Sequence, residues 1–155
     1  MFNNRLLVPA FALTAALAAC GGGTPTDPAM AEVMHERHEG FEEIGDAFKT
    51  IMDKLKAGES LDAEMAEAAK TINGYAPELE TWFPEGSGPE AGKTDAKAEI
   101  WQQPQEFAES REAFVMAAAK FAELAEAGDA EGFAAQAREV GSTCKGCHDT
   151  FREDD

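Results

Sequence analysis

The sequence predicts an all-α protein that folds as a single antiparallel four-helix bundle. Small and straight-chain residues, which favour helices, dominate the middle of the chain, while the β-branched and aromatic residues that favour strands are thinly spread. Four segments place apolar residues at alternating spacings of three and four, and Gly, Pro and Asp residues separate them. With 155 residues, 44% of them hydrophobic, the chain is long enough for one core and too short for two ordinary domains.

The first half of the chain contains two of these helices. The first is predicted over about residues 28–57, with an apolar seam made of Met34, Arg37, Phe41, Ile44, Phe48, Ile51 and Leu55. The second begins after Asp62, a residue type that favours the N-cap, and stops before Pro84. Pro77 lies inside it and predicts a kink or break near Gly74, because proline removes a helical hydrogen bond.

A connection over 85–103, rich in Gly, Pro and charge, leads to the other two helices, and a loop of this length often covers a site. The third helix starts around Pro104, and its apolar residues are Phe107, Phe114, Ala118, Phe121 and Leu124. Gly128-Asp129 separates it from the fourth helix, about residues 130–152. The seam of that helix is Phe133, Ala137, Val140, Cys144, Cys147 and Phe151. We therefore expect both cysteines to face the bundle interior, with His148 beside the seam.

Residues 1–19 are predicted to be an export signal that does not belong to the fold. Arg5 is followed by an apolar run from Leu6 to Ala19 that is too short to span a bilayer. The end of the run, Leu17-Ala18-Ala19-Cys20, resembles the lipobox of bacterial lipoproteins, in which the cysteine is lipidated. The alternative is an ordinary signal peptide with Cys20 an incidental thiol. With lipidation, residues 20–27 form a tether, and the domain over 28–155 is anchored to a membrane in the cell envelope or periplasm, an oxidising compartment.

The segment Cys144-Lys145-Gly146-Cys147-His148 matches C-x-x-C-H, the attachment signature of c-type haem. Two cysteines three residues apart on a helix can add to the two vinyl groups along one edge of the macrocycle, and His148 can reach the iron as proximal ligand. With Cys20 assigned to lipid, no further cysteine is left for a disulfide framework. The sequence therefore predicts one covalent haem c, whose distal side must be built by an earlier helix.

Two rival interpretations of the cysteines are weaker. A zinc site needs four ligands, and beyond these three the chain offers only His35 and His38 as imidazoles and no second C-x-x-C pair. A thioredoxin-like dithiol usually opens a helix after a strand, where the helix N-terminus lowers the thiol pKa. Cys144 and Cys147 instead lie late in a predicted helix. Haem attachment is the interpretation that the spacing favours.

Several segments together resemble the cytochrome c′ family over about residues 28–152. They are the run from Cys144 to Arg152, Phe83-Pro84-Glu85-Gly86 and Glu99-Ile100-Trp101 in the connection, and Arg37 followed four residues later by a bulky apolar residue. The resemblance implies a four-helix bundle with a largely high-spin, five-coordinate haem ligated by His148. It also implies homodimers that pack through their first two helices.

The resemblance further implies roles for particular residues. Phe41 would stand over the distal iron position, and Arg37 would pair with a haem propionate. Arg152 would lie beside the proximal ligand, Asp95-Ala96-Lys97 along the haem edge, and His38 where the family more often has Gln. Plain core packing remains open for Phe41, and a favourable helix C-terminal charge for Arg152. An arginine in an apolar seam is costly to bury unless an anion meets it.

Two functions remain open at this point. The first is a haem that binds nitric oxide and carbon monoxide in an apolar pocket without a distal hydrogen-bond donor, where dioxygen would lack stabilisation. The second is a low-spin electron carrier with Met34 or His38 as sixth ligand, whose acidic surface docks a basic redox partner. No nucleophile paired with a base is recognisable, so an enzyme is not expected. A formal net charge of -17 argues against nucleic acid as a partner.

Overall fold

The structure is a computed structural model that describes residues 27–153. The predicted export signal, Cys20 and residues 20–26 of the predicted tether lie outside the described residues. The boundaries at 19 and 27 therefore stay predictions. Between residues 27 and 153, no helix is both long and apolar enough to cross a membrane.

The described chain is helical, with one long connection in its middle. The α-helices are α1 (Pro28–Lys56), α2 (Ala63–Tyr75), the short α3 (Glu99–Gln102), α4 (Pro104–Glu126) and α5 (Ala130–Phe151). A 3-10 turn over Ala76–Glu80 follows α2 directly. In residues 27–153, β-structure is limited to an isolated antiparallel bridge between Ala96 and Arg152. The all-α prediction is confirmed, and α3 is a short helix that the sequence analysis placed in a loop.

The helix ends follow the residues that predicted them. The Asp62 carboxylate accepts a hydrogen bond from the backbone N–H of Met65 at 2.9 Å, and so caps α2. Asp129 caps α5 in the same way, since its Oδ1 accepts from the N–H of Gly132 at 2.9 Å. Gly128 ends the preceding turn with a φ of +67°, a conformation that glycine adopts without strain.

Pro77 interrupts the second helix, as predicted. The α-helix ends at Tyr75, one residue after Gly74, and the chain tightens into the 3-10 turn. Ala76 and Leu79 in this turn remain buried, at 0% and 6% exposure. The apolar seam therefore continues through the break and still faces the bundle.

The bundle is formed by α1, α2, α4 and α5. Each packs against the next along the chain, and the short connections at 57–62 and 127–129 make these neighbours antiparallel. The largest fully buried side chains in the core are Ile51, Met65, Ile72, Phe121, Phe133 and Val140. The rings of Phe121 and Phe133 stack between α4 and α5 with their centroids 4.3 Å apart. This arrangement confirms the predicted four-helix bundle.

A second, smaller apolar cluster lies where the long connection meets the end of α5. Its buried members are Ala96, Ile100, Phe107 and Phe151. Backbone hydrogen bonds fasten the connection there: the N–H of Lys97 donates to the carbonyl of Phe151 at 2.9 Å, and the N–H of Glu153 donates to the carbonyl of Asp95 at 2.8 Å. The connection is thus tied to the helix that carries the cysteines.

Candidate functional site

Cys144 and Cys147 lie one turn apart on α5, and both side chains face inward. Cys144 packs against the main core, while Cys147 packs against the small cluster that contains Ile100 and Phe151. Both cysteines are free and partly buried. The inward placement that the seam predicted for the cysteines is therefore observed.

The surroundings of the two thiols make them poor nucleophiles. Burial raises the pKa of Cys144 to about 11, and burial together with the neighbouring Cys144 raises the pKa of Cys147 to about 11. A catalytic or redox dithiol works with a lowered pKa. In addition, no group of three or more His, Cys, Asp or Glu residues within 27–153 could hold a metal ion by itself. Neither the redox interpretation nor the zinc interpretation finds support.

His148 follows Cys147 directly and is partly exposed on α5. Its pKa lies below the ordinary histidine value, mainly because protein atoms around the ring disfavour the charged form, and secondly because Arg152 is positive; Asp149 opposes this shift. The neutral imidazole is the form that binds iron. Arg152 therefore does lie near His148, and its Nη2 is also 3.8 Å from Oδ2 of Asp95.

The first and last helices of the bundle touch where Phe48 of α1 meets Gly141 of α5. The Phe48 Cζ atom is 3.2 Å from the position that a Cβ would take at Gly141. From this contact Phe41 lies seven residues back along α1 and His148 seven residues on along α5. Because the two helices run in opposite directions, both residues are displaced about 10.5 Å toward the same end of the bundle. Phe41 and His148 are thus at the same level on facing helices.

A row of aromatic rings joins α1 to α5 at this end of the bundle. The ring centroids of Phe41 and Phe83 are 6.2 Å apart, those of Phe83 and Phe107 are 4.8 Å apart, and those of Phe107 and Phe151 are 5.2 Å apart. Phe83 packs against both apolar clusters. Phe41 and Phe83 are only partly buried, as are both cysteines. Phe41, Phe83 and Cys144 therefore pack against the same apolar core, and Phe83 links it to the cluster that contains Cys147.

Arg37 is buried in the seam, with 4% of its surface exposed. Its Nη1 donates to the carbonyl of Trp82 at 3.2 Å and to Oγ of Ser87 at 3.4 Å, while its Nη2 donates to the carbonyl of Ser87 at 3.1 Å and to Oγ1 of Thr94 at 2.9 Å. The guanidinium also lies 4.8 Å from the centroid of the Phe83 ring. Desolvation by burial lowers its pKa. Arg37 thus clamps the connection against α1.

These donors bear on the predicted pairing of Arg37 with a propionate. Each terminal nitrogen of Arg37 already donates twice to neutral oxygens of Trp82 and of the connection. A two-pronged clamp on a carboxylate through Nε and one terminal nitrogen would use at least one of the same N–H groups. The pairing with a propionate stays a prediction, and in the observed arrangement it requires one of these bonds to exchange. The clamp on the connection was not anticipated from the sequence.

The clamp extends from α1 to the end of α5 through the backbone. Thr94, which binds Arg37, also accepts a hydrogen bond from the N–H of Ala96 at 3.1 Å. Ala96 is 9% exposed and forms the bridge to Arg152. The predicted haem-edge residues Asp95 and Ala96 therefore lie beside the end of α5, next to the residues that follow His148.

His38 does not join this group. Its Nε2 is 3.5 Å from Oε1 of Glu42, and 69% of its side chain is exposed. As a sixth ligand His38 would have to face the bundle, but Arg37 and Phe41 occupy the inward face and turn the intervening His38 to solvent. Met34 lies on the seam and is partly buried. Of the two candidate sixth ligands, only Met34 remains on the side of α1 that faces the bundle.

Two residues that support the candidate site were not predicted from the sequence. Gly40 is buried on α1, and a Cβ there would overlap the ring of Trp82. The signal that could have found it is a glycine inside a strongly periodic helix, which costs about 1 kcal/mol relative to alanine and so indicates a packing reason. Ser87 is fully buried and donates to the carbonyl of Pro84 at 2.8 Å. No local pattern distinguished Ser87 from the other loop residues.

Comparison with known proteins places the chain in one family. The family described as Cytochrome C′ matches residues 32–152. A cytochrome c′ from Pararhodospirillum photometricum is 37% identical over 117 residues, which make up 76% of this chain and 93% of that protein. The chain belongs to the cytochrome c′ family. The resemblance that the motifs carried is confirmed at the level of the family.

Solved cytochromes c′ have the same architecture as this chain. The nitric oxide complex of a mutant cytochrome c prime from Alcaligenes xylosoxidans superposes with a TM-score of 0.73 at 23% identity, covering 81% of this chain and 97% of that chain. A cytochrome c′ described as having an unusual ligand-controlled dimer dissociation gives a TM-score of 0.73 at 27% identity, with the same coverage of both chains. The four-helix bundle is therefore the fold of known cytochromes c′.

Haem c, covalently attached, is the cofactor of cytochromes c′, and the residues of this chain suit it. Cys144 and Cys147 offer two inward thiols one turn apart, and His148 offers an imidazole on the next residue. Both thiols pack against apolar clusters that include aromatic rings. The predicted cofactor, one haem c, is confirmed at the level of the family.

Proposed function

We propose that this cytochrome c′ holds its haem through thioether bonds to Cys144 and Cys147, with His148 as the axial iron ligand. The two thiols lie at the spacing that the two vinyl groups require, and their partial burial between two apolar clusters suits a flat apolar group. Their raised pKa values speak for a structural role. Arg152 lies beside His148 and Asp95 lies beside Arg152, which suits residues that border the haem edge.

The iron is five-coordinate, and the protein binds nitric oxide and carbon monoxide on its distal side. The observation that carries this proposal is the level placement of Phe41 and His148 on facing helices, seven residues from the contact between Phe48 and Gly141. A phenyl ring opposite the axial histidine offers no ligand atom and no hydrogen bond. Nitric oxide bonds strongly to ferrous haem without such help, whereas bound dioxygen lacks stabilisation there.

The optical spectrum of the exported, haem-loaded protein tests this function. A ferrous spectrum of the high-spin type that changes when carbon monoxide is added is the expected result. The alternative is a six-coordinate low-spin electron carrier with Met34 as sixth ligand. A sharp low-spin spectrum that carbon monoxide leaves unchanged, and that becomes high-spin in Met34→Leu, would establish that alternative and reject the five-coordinate site.

The protein is exported and lipid-anchored in the periplasm through Cys20, and the acidic domain faces the aqueous phase. Support comes from the lipobox-like Leu17-Ala18-Ala19-Cys20 and the apolar run before it. In Cys20→Ser, the domain should leave the membrane fraction and be recovered as a water-soluble cytochrome with the same spectrum. Unchanged membrane association of this variant contradicts the anchor.

The domain forms homodimers through α1 and α2, and ligand binding acts on the dimer. A solved relative with ligand-controlled dimer dissociation supports this proposal. Sedimentation of the ferrous protein with and without carbon monoxide measures it. A protein that stays monomeric at all concentrations, with or without the gas, would contradict the homodimer.

The net charge of -17 also suits a basic redox partner, and salt-dependent binding to such a partner would reveal this interaction.

A further inference from the structure

Trp82 packs against the ring of Phe41 and is itself enclosed. The two ring centroids are 5.2 Å apart and the ring planes meet at 67°, an edge-to-face contact. Trp82 is 4% exposed. Tyr75 packs on it with a centroid distance of 6.3 Å, and Arg37 fixes its backbone by donating to its carbonyl at 3.2 Å. Trp82 is therefore a rigid neighbour of Phe41.

The indole of Trp82 packs directly on the backbone of α1 at Gly40. A Cβ at Gly40 would overlap Cη2 and Cζ2 of the indole, so the ring lies directly on the backbone of α1. Gly45, five residues further along the same helix, has nothing within 4 Å of the corresponding position. The absence of a side chain thus has a packing reason at Gly40 that it does not have at Gly45.

We propose that Trp82, packed against Gly40, is the positioning residue that holds Phe41 over the distal side of the haem. Trp82 thereby sets the association rate of small neutral ligands. The inference rests on the proposed function, because it requires Phe41 to stand in the path of the ligand. A ligand can enter only after Phe41 swings away, and that movement breaks the edge-to-face contact with Trp82. The contact between Phe41 and Trp82 is absent in the open state and in the ligand-bound state. It therefore slows ligand association and leaves dissociation unchanged.

The size of this effect follows from the energy of an aromatic pair. An edge-to-face pair contributes enough beyond burial to change a rate by about two- to tenfold. The contact of Phe41 with Phe83 is longer and tilted, at 6.2 Å and 60°, and Phe83 is also engaged by Phe107 at 4.8 Å. Trp82 is accordingly the neighbour whose removal should release Phe41 most.

The experiment measures carbon monoxide association and dissociation by stopped flow on the ferrous, haem-loaded protein. The first variant is Gly40→Ala, whose added methyl group displaces the indole from the backbone of α1. The second is Trp82→Phe, whose shorter ring keeps the core apolar but cannot span from Gly40 to Phe41. Gly45→Ala is the matched control, with the same change on the same helix at a position without neighbours. Trp82→Phe also serves as the independent test if Gly40→Ala does not fold.

The expected result is carbon monoxide association that is about two- to tenfold faster in Gly40→Ala and in Trp82→Phe, with dissociation unchanged and with Gly45→Ala equal to the wild type. A general loosening of the bundle would change both rates, so faster dissociation in equal measure overturns the inference. Association rates equal to that of the wild type in a folded Trp82→Phe protein overturn it as well. A wild-type protein whose ferrous spectrum ignores carbon monoxide rejects the proposed function itself, and the inference with it.

Discussion

Phe48 of α1 and Gly141 of α5 meet without an intervening side chain, with 3.2 Å between the Phe48 Cζ and the Cβ position at Gly141. This contact sets how closely the two helices approach one turn before Cys144. It also fixes their register, which brings Phe41 level with His148. A glycine at this position therefore allows the helix with the cysteines and the helix that faces it to approach closely.

A larger residue at this contact should loosen the bundle. Gly141→Val adds a Cβ 3.2 Å from the Phe48 Cζ and two methyl groups beyond it, and overpacking of this kind costs about 1–3 kcal/mol. We expect the free energy of unfolding in guanidinium chloride to fall by that amount. Gly45→Ala, with nothing within 4 Å, is expected to gain up to about 1 kcal/mol from helix propensity. If both variants gained stability, the contact would not constrain the two helices.

Removal of the Arg37 guanidinium should release the connection. Arg37→Met leaves the carbonyls of Trp82 and Ser87 without their donor, and each unpaired buried group costs about 1–3 kcal/mol. We expect a loss of about 3 kcal/mol in urea denaturation, together with faster amide exchange at Ala96. The exposed Arg138→Met on α5 serves as control and should stay within about 0.5 kcal/mol of the wild type. Equal stability of the two variants would contradict the conclusion that Arg37 holds the connection against α1.

The two cysteines should contribute equally to haem attachment. In Cys144→Ser or Cys147→Ser one vinyl group stays unsaturated, so the haem should remain bound under denaturing conditions while the pyridine haemochrome band moves to longer wavelength. The double variant should lose covalent haem altogether. Lys145→Ala inside the same motif is a control that should keep the normal band, because its side chain lies on the exposed side and pairs with Asp149. Covalent haem in the double variant would exclude the thioether assignment.

Thiol reactivity of the haem-free protein should depend steeply on pH. The pKa values of Cys144 and Cys147 are raised from 9.0 to about 11 in the folded chain, so both stay protonated at pH 8. Iodoacetamide should therefore react about a hundredfold more slowly at pH 8 than in urea, where the ordinary pKa returns. Because the pKa is higher in the folded state, the contribution of the two thiols to stability is constant below about pH 9 and declines as the pH rises toward about 11. Equal alkylation rates in buffer and in urea at pH 8 would contradict the inward placement of the thiols.

Elements specified by local chemistry were predictable from the sequence. Asp62 and Asp129 cap their helices, and Pro77 ends α2 close to Gly74, because each acts within one turn of its own position. The inward direction of Cys144 and Cys147 followed from helix periodicity alone. These features needed no knowledge of distant parts of the chain.

The features that the sequence did not predict depend on distant neighbours. Arg37 finds its partners at Trp82, Ser87 and Thr94, which are 45 to 57 residues away. No local pattern indicates which loop carbonyl will come within reach of a buried guanidinium. The misplacement of His38 has a local cause instead, since one residue shifts a helical side chain by about 100°, from the inward side of Arg37 to solvent. The roles of Arg37 and Phe41 toward the haem stay predictions.

The row of rings from Phe41 through Phe83 and Phe107 to Phe151 joins α1 to the end of α5. A phenyl ring that is wedged on both sides can turn over only when its neighbours yield, so the two inner rings cannot move alone. Thermal agitation of one ring is therefore shared along the row. A change in the packing of Phe41 on α1 would therefore alter how often the Phe151 ring flips at the end of α5.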